Sequence, residues 1–314
     1  MDCPLSPAHA VAIVGPTGSG KSALAMRLAC ALDGEIISCD SVQVYRGLDI
    51  GSGKPSAEDR ARVRHHLIDI MDLGSEMNAA LFAERASVAI AEVSRGRRLP
   101  ILEGGTGLYL TALLKGLFEG GEPQLDLRAR LQGMARRFGP ERLHRLLHAK
   151  DRVYARKTDP RDLTRVVRAL EVCLATGRPF SDVQRERRPA FSGDTLLIGL
   201  SPSRDALRDR VTARVRDMIG KGLVDEVRRA LSSLPASAPA PRALASIGYR
   251  EVVAELAAGP VDTEPDGKLQ RAIVTATMQY AKRQMTYFRR QFAVEWFEDA
   301  GPAFERIATW VKSR

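Results

Sequence analysis

Eight consecutive residues form the part of this chain best suited to chemistry on phosphate groups. They match the pattern G-x-x-x-x-G-K-[ST] in full and are Gly15, Pro16, Thr17, Gly18, Ser19, Gly20, Lys21 and Ser22. Glycines let such a loop wrap a phosphate, while backbone amides and the start of the following helix supply partial positive charge. We expect Lys21 to bridge the outer phosphate oxygens and the Ser22 hydroxyl to face a Mg²⁺ ion. The motif predicts a site for a polyphosphate or a pyrophosphate.

Two acidic residues stand where they could serve this loop. Asp40 ends the apolar segment 34–40, and Glu103 follows the apolar segment 99–102. Loops of this kind usually pair with an aspartate that holds magnesium, and Asp40 is the only well-placed one. Glu103 either supplements magnesium binding or marks a strand that ends one residue early. No motif selects a nucleotide base, so these residues indicate a transferase or an NTPase and leave its substrate open.

The elements around the motif follow a strand–helix alternation. Segment 10–14 is short, apolar and β-branched, and segment 22–29 has the spacing of an amphipathic helix. The same criteria predict strands at 34–40, about 65–70, 99–102, 195–200 and about 293–297, and helices at 78–94, 108–114, 204–221, 224–231 and 268–291. This order predicts an α/β fold, a P-loop NTPase-like doubly wound parallel sheet. Ligands bind such sheets at the carboxyl ends of the strands, where Asp40 and Glu103 fall.

A helical region interrupts this alternation. Segments 125–138, 141–149, 151–157 and 162–176 have helical patterns, with no strand pattern between 119 and 193. We therefore predict the first part of the P-loop core at 1–118, an all-helical insertion domain at 119–193, and the second part of the core, with a basic carboxy-terminal helix, at 194–314. The stretch 232–241 is predicted to be a flexible connector.

Charge is concentrated in the predicted insertion. Residues 119–193 hold 17 Lys and Arg against 10 Asp and Glu, a surplus of 7 in a chain of net charge +10. A surplus of this kind is typical of proteins that bind a polyanion such as RNA. A basic helical surface that is merely solvated would have the same composition.

Composition excludes several other classes. The 314 residues contain no run approaching the ~18 apolar residues of a membrane span, and the N-terminus lacks the regions of a signal peptide. The four cysteines, Cys3, Cys30, Cys39 and Cys173, form no CxxC pair. Reduced thiols and a cytoplasmic location are therefore expected, with no membrane partner. The oligomeric state is not set by the sequence, and a monomer is the working expectation.

Longer blocks carry a resemblance to a known family. Residues 37–55 read ISCDSVQVYRGLDIGSGKP, and further blocks are HHLID at 65–69, GGTGLY at 104–109, RVVRALE at 165–171, IGYRE at 247–251 and AKRQMT at 281–286. In this order the blocks resemble the bacterial tRNA dimethylallyltransferase (tRNA isopentenyltransferase) family. The resemblance implies transfer of a dimethylallyl group from its diphosphate to the exocyclic amine of the adenosine just 3′ of a tRNA anticodon. It implies Mg²⁺ as cofactor and the anticodon stem-loop as partner.

The resemblance also suggests roles for single residues. Asp40 is the candidate base for the adenine amine, with a magnesium-ligand support role or a helix cap as the alternative. Thr106 matches a family residue near the substrates, although it could equally be a helix N-cap. Arg214 matches an arginine expected to bind pyrophosphate, and Arg210 lies one helical turn earlier on the same face.

Further matching segments are expected to contact tRNA. They comprise Asp40, Ser41, Val42, Gln43, Thr106, Arg128, Thr164, Arg165, Val166, Val167, Arg168, Ser246, Ile247, Gly248, Tyr249, Arg250, Glu251, Lys282, Arg283, Gln284 and Arg289. For Tyr280 and Tyr287, packing within a helix is at least as plausible as stacking on a base. Lys54 is expected either to contact RNA or to be solvated.

Two other functions explain part of the pattern. A small-molecule or nucleoside kinase would use the loop and Asp40, but it leaves the basic helices without a role. A nucleotide-gated RNA-binding switch would use the loop and the charge, but it leaves Asp40 without one. Whether ATP binds the loop in place of a prenyl diphosphate stays open. A metal site at His65 and His66 is not expected, because adjacent side chains diverge on a strand or a helix.

Overall fold

The computed structural model describes residues 9–118, 124–234 and 241–314. The first residues of the predicted insertion, most of the predicted connector at 232–241, and Cys3 lie outside the described residues. The chain divides into two compact units, Met1–Leu113 together with Phe191–Arg314, and Leu114–Ala190. We call these the core unit and the helical unit.

The core unit is built on six parallel strands. They are β1 (His9–Val14), β2 (Gly34–Ser38), β3 (His65–His66), β4 (Leu99–Glu103), β5 (Asp194–Leu200) and β6 (Glu295–Phe297). Their order across the sheet is β3-β2-β4-β1-β5-β6. The predicted α/β parallel sheet is thereby confirmed, although β3 is shorter than expected. Leu67 and Asp69, which follow it, have φ of 62° and 56°, and such left-handed backbone cannot continue a strand.

The strand register places the chemistry-bearing residues at one edge. Ile13 of β1 lies beside Glu103 of β4, and Ser38 of β2 also lies beside Glu103. The phosphate loop after β1 and Asp40 after β2 therefore begin at the same level as Glu103.

Helices cover this sheet. Those of the core unit are α1 (Lys21–Ala31), α2 (Ala57–Arg62), α3 (Ala79–Arg95), α4 (Gly107–Lys115), α10 (Arg204–Gly220), α11 (Leu223–Ser232), α12 (Tyr249–Ala258), α13 (Lys268–Gln291) and α14 (Ala300–Lys312). Leu24 and Leu28 of α1 and Ile307 of α14 pack with Val11 and Ile101 of the sheet. All five residues of β2 and of β4 are buried, so both faces of the sheet are covered there. This is expected for a doubly wound sheet.

The helical unit has its own core. Its helices are α5 (Leu125–Phe138), α6 (Pro140–Lys150), α7 (Arg152–Ala155), α8 (Leu163–Thr176) and α9 (Phe180–Val183). Leu131, Leu143, Leu147 and Leu170 pack at its centre. Buried Asp151 accepts hydrogen bonds from the backbone N–H groups of Tyr154 and Ser181, at 2.9 and 2.6 Å. Within the described ranges, no helix of either unit has the length and apolarity needed to cross a bilayer.

Candidate active site

The phosphate loop adopts a conformation that only glycine tolerates at its turning points. Gly15 has φ +142°, and a Cβ there would lie 2.5 Å from the carbonyl oxygen of Leu200. Lys21 folds back over the loop, and its Nζ donates to the carbonyl of Pro16 at 2.9 Å. Burial lowers the pKa of Lys21, although the charges of Glu103 and Asp40 oppose this shift. The loop thus holds a buried cation above a cradle of backbone amides.

Asp40 and Glu103 both line the cleft at the mouth of this loop. Oδ1 of Asp40 accepts the backbone N–H groups of Val42 and Gln43 at 2.8 and 3.2 Å, which fixes the carboxylate. Oε1 of Glu103 accepts the Ser22 hydroxyl at 3.2 Å. Burial raises the pKa of Glu103, and the nearby Asp40 raises it further against the opposing Lys21. β4 runs through Glu103, so the alternative of a strand that ends one residue early is wrong.

Two arginines of α10 face the same cleft. Nη2 of Arg214 points to the carbonyl of Ser52 at 3.5 Å, and Nη1 of Arg210 to that of Ser19 at 3.4 Å. The Arg214 guanidinium lies against Gly53, where no side chain stands in its way. Burial lowers the pKa of Arg214, while Asp40 and Glu103 raise it. The two cations therefore complement the acidic pair around the loop.

Thr106 supports the segment after Asp40. Its Oγ1 accepts the backbone N–H of Ser41 at 3.2 Å, and its own N–H donates to the carbonyl of Cys39 at 3.2 Å. The hydroxyl thus holds the neighbouring loop instead of capping α4.

The phosphate loop, the acidic pair and the two arginines line one cleft of about 620 Å³. Its polar end is the phosphate loop with the acidic pair and Arg214. An apolar wall continues along α10 and α13 through Val211, Val215, Met218 and Ile273. The lining also includes the predicted tRNA contacts Ser246, Ile247, Gly248, Tyr249, Arg250, Arg283 and the segment 40–43. A ligand with a charged end and a small apolar end matches this distribution.

Gln284 was predicted to contact tRNA, but its amide is buried and bonded within the protein, so the prediction of an RNA contact through this side chain is wrong. It is buried, its Oε1 accepts the N–H of Thr17 at 3.0 Å, and its Nε2 donates to the carbonyl of Gly105 at 2.9 Å. Burial and the charge of Asp40 raise the pKa of neighbouring Tyr280 to about 12. The Tyr287 hydroxyl hydrogen-bonds Thr111 at 2.8 Å. Tyr287 is therefore held against α4, whereas Tyr280 is partly buried and lines the cleft.

Three cations of α13 that were predicted to contact tRNA are solvent-exposed, and one of them, Arg283, also lines the cleft. Lys282, Arg283 and Arg289 are exposed. The Arg283 guanidinium lies 5.7 Å from the ring centre of Tyr280, and that of Arg289 lies 5.7 Å from the ring centre of Trp296.

Segment 246–251 contributes less accessible surface than expected. Tyr249 is fully buried, and its hydroxyl donates to Oε1 of Glu226 at 2.7 Å. The prediction that the Tyr249 side chain contacts RNA is therefore wrong. Glu251 accepts the N–H of Gly248 at 2.7 Å and so caps its own helix.

The predicted RNA contacts in the helical unit include both exposed and buried residues. Thr164 and Arg165 are exposed on α8. Val166 and Val167 are buried in the core of this unit, so the prediction of an RNA contact through these two side chains is wrong. Its remaining predicted contacts, Arg128 and Arg168, both pair with buried Glu171, at 2.8 and 3.0 Å.

The structure contradicts both predictions for Lys54, an RNA contact and a solvated side chain. Only 2% of its side chain is exposed, and Nζ pairs with Asp49 and Asp69 at 2.6 and 2.5 Å. It is thus a structural cation, neither solvated nor free to contact RNA. His66 hydrogen-bonds Glu35 at 2.6 Å, and the described part of the chain contains no group of three or more His, Cys, Asp or Glu side chains able to hold a metal.

The strand order, the loop between β1 and α1, and the cleft at the strand ends define a protein of the P-loop class. The family model for IPP transferase matches residues 43–291. A tRNA dimethylallyltransferase of Geobacter metallireducens is 48% identical over 303 residues, covering 96% of each chain. The chain belongs to the tRNA dimethylallyltransferase (IPP transferase) family.

Solved structures agree with this assignment. The full-length tRNA isopentenylpyrophosphate transferase of Bacillus halodurans is 34% identical with a TM-score of 0.68, covering 98% of this chain and 96% of that one. A eukaryotic dimethylallyltransferase acting on tRNA is 28% identical with a TM-score of 0.75, covering 89% of this chain and 69% of that one.

Proposed function

We propose that this protein is a tRNA dimethylallyltransferase. It transfers the dimethylallyl group of dimethylallyl diphosphate to the exocyclic amine of the adenosine 3′-adjacent to the anticodon, and it releases diphosphate. The observation that carries this proposal is a single cleft holding the phosphate loop, Arg214, a fixed carboxylate at Asp40 and an apolar wall.

The loop in this proposal binds a leaving group and no phosphorus atom is attacked. An allylic carbon–oxygen bond ionises readily once the charge on the departing diphosphate is neutralised. Backbone amides of the loop, Lys21 and Arg214 are preorganised cations and dipoles for that charge. The apolar wall along α10 suits the five-carbon group, because moving hydrocarbon from water onto apolar side chains is favourable.

Magnesium fits the oxygen donors present. The Ser22 hydroxyl and the Glu103 carboxylate lie 3.2 Å apart at the loop, and Mg²⁺ is commonly held by one or two protein oxygens together with phosphates. Ser22 would hold the ion, with Glu103 beside it. When bound, the ion supplies further neutralisation of the diphosphate charge.

Asp40 is the proposed base. The amine of adenine is a poor nucleophile because its lone pair is delocalised into the ring, and a carboxylate that takes its proton makes it competent. Since Oδ1 is held by two backbone N–H groups, Oδ2 is oriented and left for the amine. Thr106 keeps this segment in place through Ser41.

The exposed cations are the proposed tRNA contacts. Lys282 and Arg283 on α13 and Arg165 on α8 suit phosphate contacts, and an unstacked anticodon-loop base is easier to extract than a base in a duplex. We propose that the predicted insertion at 119–193 also binds tRNA. If so, Arg165→Ala lowers the slope of log affinity against log salt by about 1. Arg306→Ala, at a partly exposed arginine paired with Glu295, serves as the control and leaves the slope unchanged. Equal slopes in both variants would contradict the assignment.

One experiment tests the activity. The protein is incubated with dimethylallyl diphosphate, Mg²⁺ and an unmodified anticodon hairpin, and the nucleosides are analysed by mass spectrometry for one added C₅H₈ unit on adenosine. Asp40→Asn is expected to retain hairpin binding and lose nearly all turnover. The matched control, Asp72→Asn, removes an exposed carboxylate paired with Arg46 and retains activity. Absence of a prenylated adenosine with the wild type, or ATP turnover with small acceptors instead, would refute the proposal and favour a kinase.

A further inference from the structure

One carboxylate outside the groups assigned to substrates is fully enclosed by hydrogen-bond donors. Glu226, on α11, is only 3% exposed. Its Oε2 accepts the N–H groups of Asp49 and Ile50 at 2.8 and 2.7 Å, and Oε1 accepts that of Gly51 at 3.0 Å. The Tyr249 hydroxyl is the fourth donor, at 2.7 Å. Four donors around one buried carboxylate fix the segment 49–51 onto α11.

The same segment leads directly to the cleft. The Tyr249 hydroxyl accepts the N–H of Ser52 at 3.0 Å, so the contact with Glu226 extends by one residue. The carbonyl of Ser52 in turn faces two cleft side chains, Nη2 of Arg214 at 3.5 Å and Nε2 of Gln43 at 3.4 Å. Gly53, the next residue, lies against the Arg214 guanidinium.

We propose that Glu226 is a positioning residue for the transfer reaction, which acts through the segment 49–53 on Arg214 and Gln43. This inference rests on the proposed function. Glu226 touches no substrate in this scheme. It holds the backbone that aims the Arg214 guanidinium at the departing diphosphate.

The chemistry of the pocket requires a carboxylate. An ionised carboxylate is an acceptor only, with lone pairs for all four donors, and its charge suits a concave array of consecutive backbone N–H groups. The glutamine amide has the same shape but replaces one oxygen by an N–H₂ group. In the orientation that keeps the amide oxygen on the N–H groups of Asp49 and Ile50, the N–H₂ group meets the N–H of Gly51, which loses its acceptor, while the Tyr249 hydroxyl can turn to accept.

The test compares Glu226→Gln with Asp225→Asn, whose exposed carboxylate pairs with Arg228. Steady-state prenyl transfer, calorimetric binding of inorganic pyrophosphate with Mg²⁺, and hydrogen exchange of the peptide spanning 48–54 are measured. For Glu226→Gln we expect faster exchange in that peptide, a kcat lower by about 10- to 100-fold, weaker pyrophosphate binding and a KM for the hairpin within about twofold of wild type. Asp225→Asn is expected to match wild type in all four.

A double variant separates positioning from general destabilisation. If Glu226 acts through Arg214, then Glu226→Gln lowers kcat little further once Arg214→Ala is present, because coupled residues are non-additive. The proposal would be overturned if the double variant lost kcat by the product of the two single-variant losses. Unchanged hydrogen exchange or unchanged pyrophosphate binding in Glu226→Gln would overturn it as well. Tyr249→Phe, which keeps the carboxylate, is the second variant if Glu226→Gln does not fold, and wild-type behaviour there would also overturn it. A wild type that transfers no prenyl group refutes the proposed function alone, since exchange and pyrophosphate binding still decide the role of Glu226.

Discussion

Gly53→Ala is expected to impair catalysis far more than folding. A Cβ at Gly53 would lie 2.9 Å from Cζ of Arg214, and nearer still to Nη2. Carbon atoms pack at about 3.5–4.0 Å, so the guanidinium must withdraw by about 1 Å. A shift of about 1 Å in a group that binds the reacting centre can cost ~10²-fold in rate. The fold loses much less, because a flexible side chain can move away and the left-handed backbone (φ +62°) costs alanine only about 1–2 kcal/mol.

Gly47→Ala is the matched control for this prediction. Gly47 lies in the same loop with φ +77°, and nothing stands within 4 Å of its added Cβ. Both variants share the backbone strain, but only Gly53→Ala displaces Arg214. Prenyl transfer to an anticodon hairpin is measured for both, with urea unfolding to check stability. A kcat for Gly53→Ala within about twofold of that for Gly47→Ala would refute the placement of Arg214 at the diphosphate.

Two further predictions concern stability. Lys54→Met removes a buried ammonium and is expected to lower the free energy of unfolding by about 2–3 kcal/mol. This loss is smaller than for a fully buried ion pair, because Asp49 and Asp69 remain partly exposed to water. The control Lys268→Met, at an exposed lysine, is expected to cost under about 1 kcal/mol, and equal losses in urea unfolding would contradict the role of Lys54. Burial raises the pKa of Glu171, but hydrogen bonds from Arg128, Arg168 and the N–H of Gln124 together outweigh this effect. The pKa of Glu171 therefore lies below its usual value. A depressed carboxyl pKa stabilises the folded state above the unfolded pKa of about 4.3, and this contribution is lost as pH falls through the folded value. Glu171→Gln is therefore expected to be less stable than wild type at pH 7, and this difference is expected to shrink as the pH falls below the unfolded pKa of about 4.3. Circular-dichroism unfolding curves measure it, and a pH-independent difference would contradict this.

The fold followed from local signals that the structure confirms. The apolar strand before Gly15 and the helix after Lys21 are adjacent to a complete motif, and parallel register then places Asp40 and Glu103 at one sheet edge. The helix α14 was not predicted, although Ile307 and Trp310 are spaced three apart and both are buried.

The supporting contacts of the site lie beyond sequence patterning. Glu226 binds Asp49 across 177 residues, and Gln284 binds Thr17 across 267. Periodicity identifies the face of a helix that is buried, but not which distant loop it meets. Lys54 illustrates the same limit, since its two carboxylate partners become neighbours only when the segments around Asp49 and Asp69 fold together. The division of the chain at 119 and 193, and the RNA contacts that remain exposed, stay predictions.

Gln284 connects the phosphate loop to the helix that carries the exposed cations. One amide group bonds Thr17 of the phosphate loop and the turn at Gly105, while Lys282 and Arg283, the two residues before it in the helix, are exposed. If a polyanion bound at these cations shifted that helix, the two hydrogen bonds of Gln284 would carry the shift to the phosphate loop. Because such linkage is reciprocal, binding of the prenyl donor would change the affinity for tRNA, and binding of tRNA would change the affinity for the donor by the same factor.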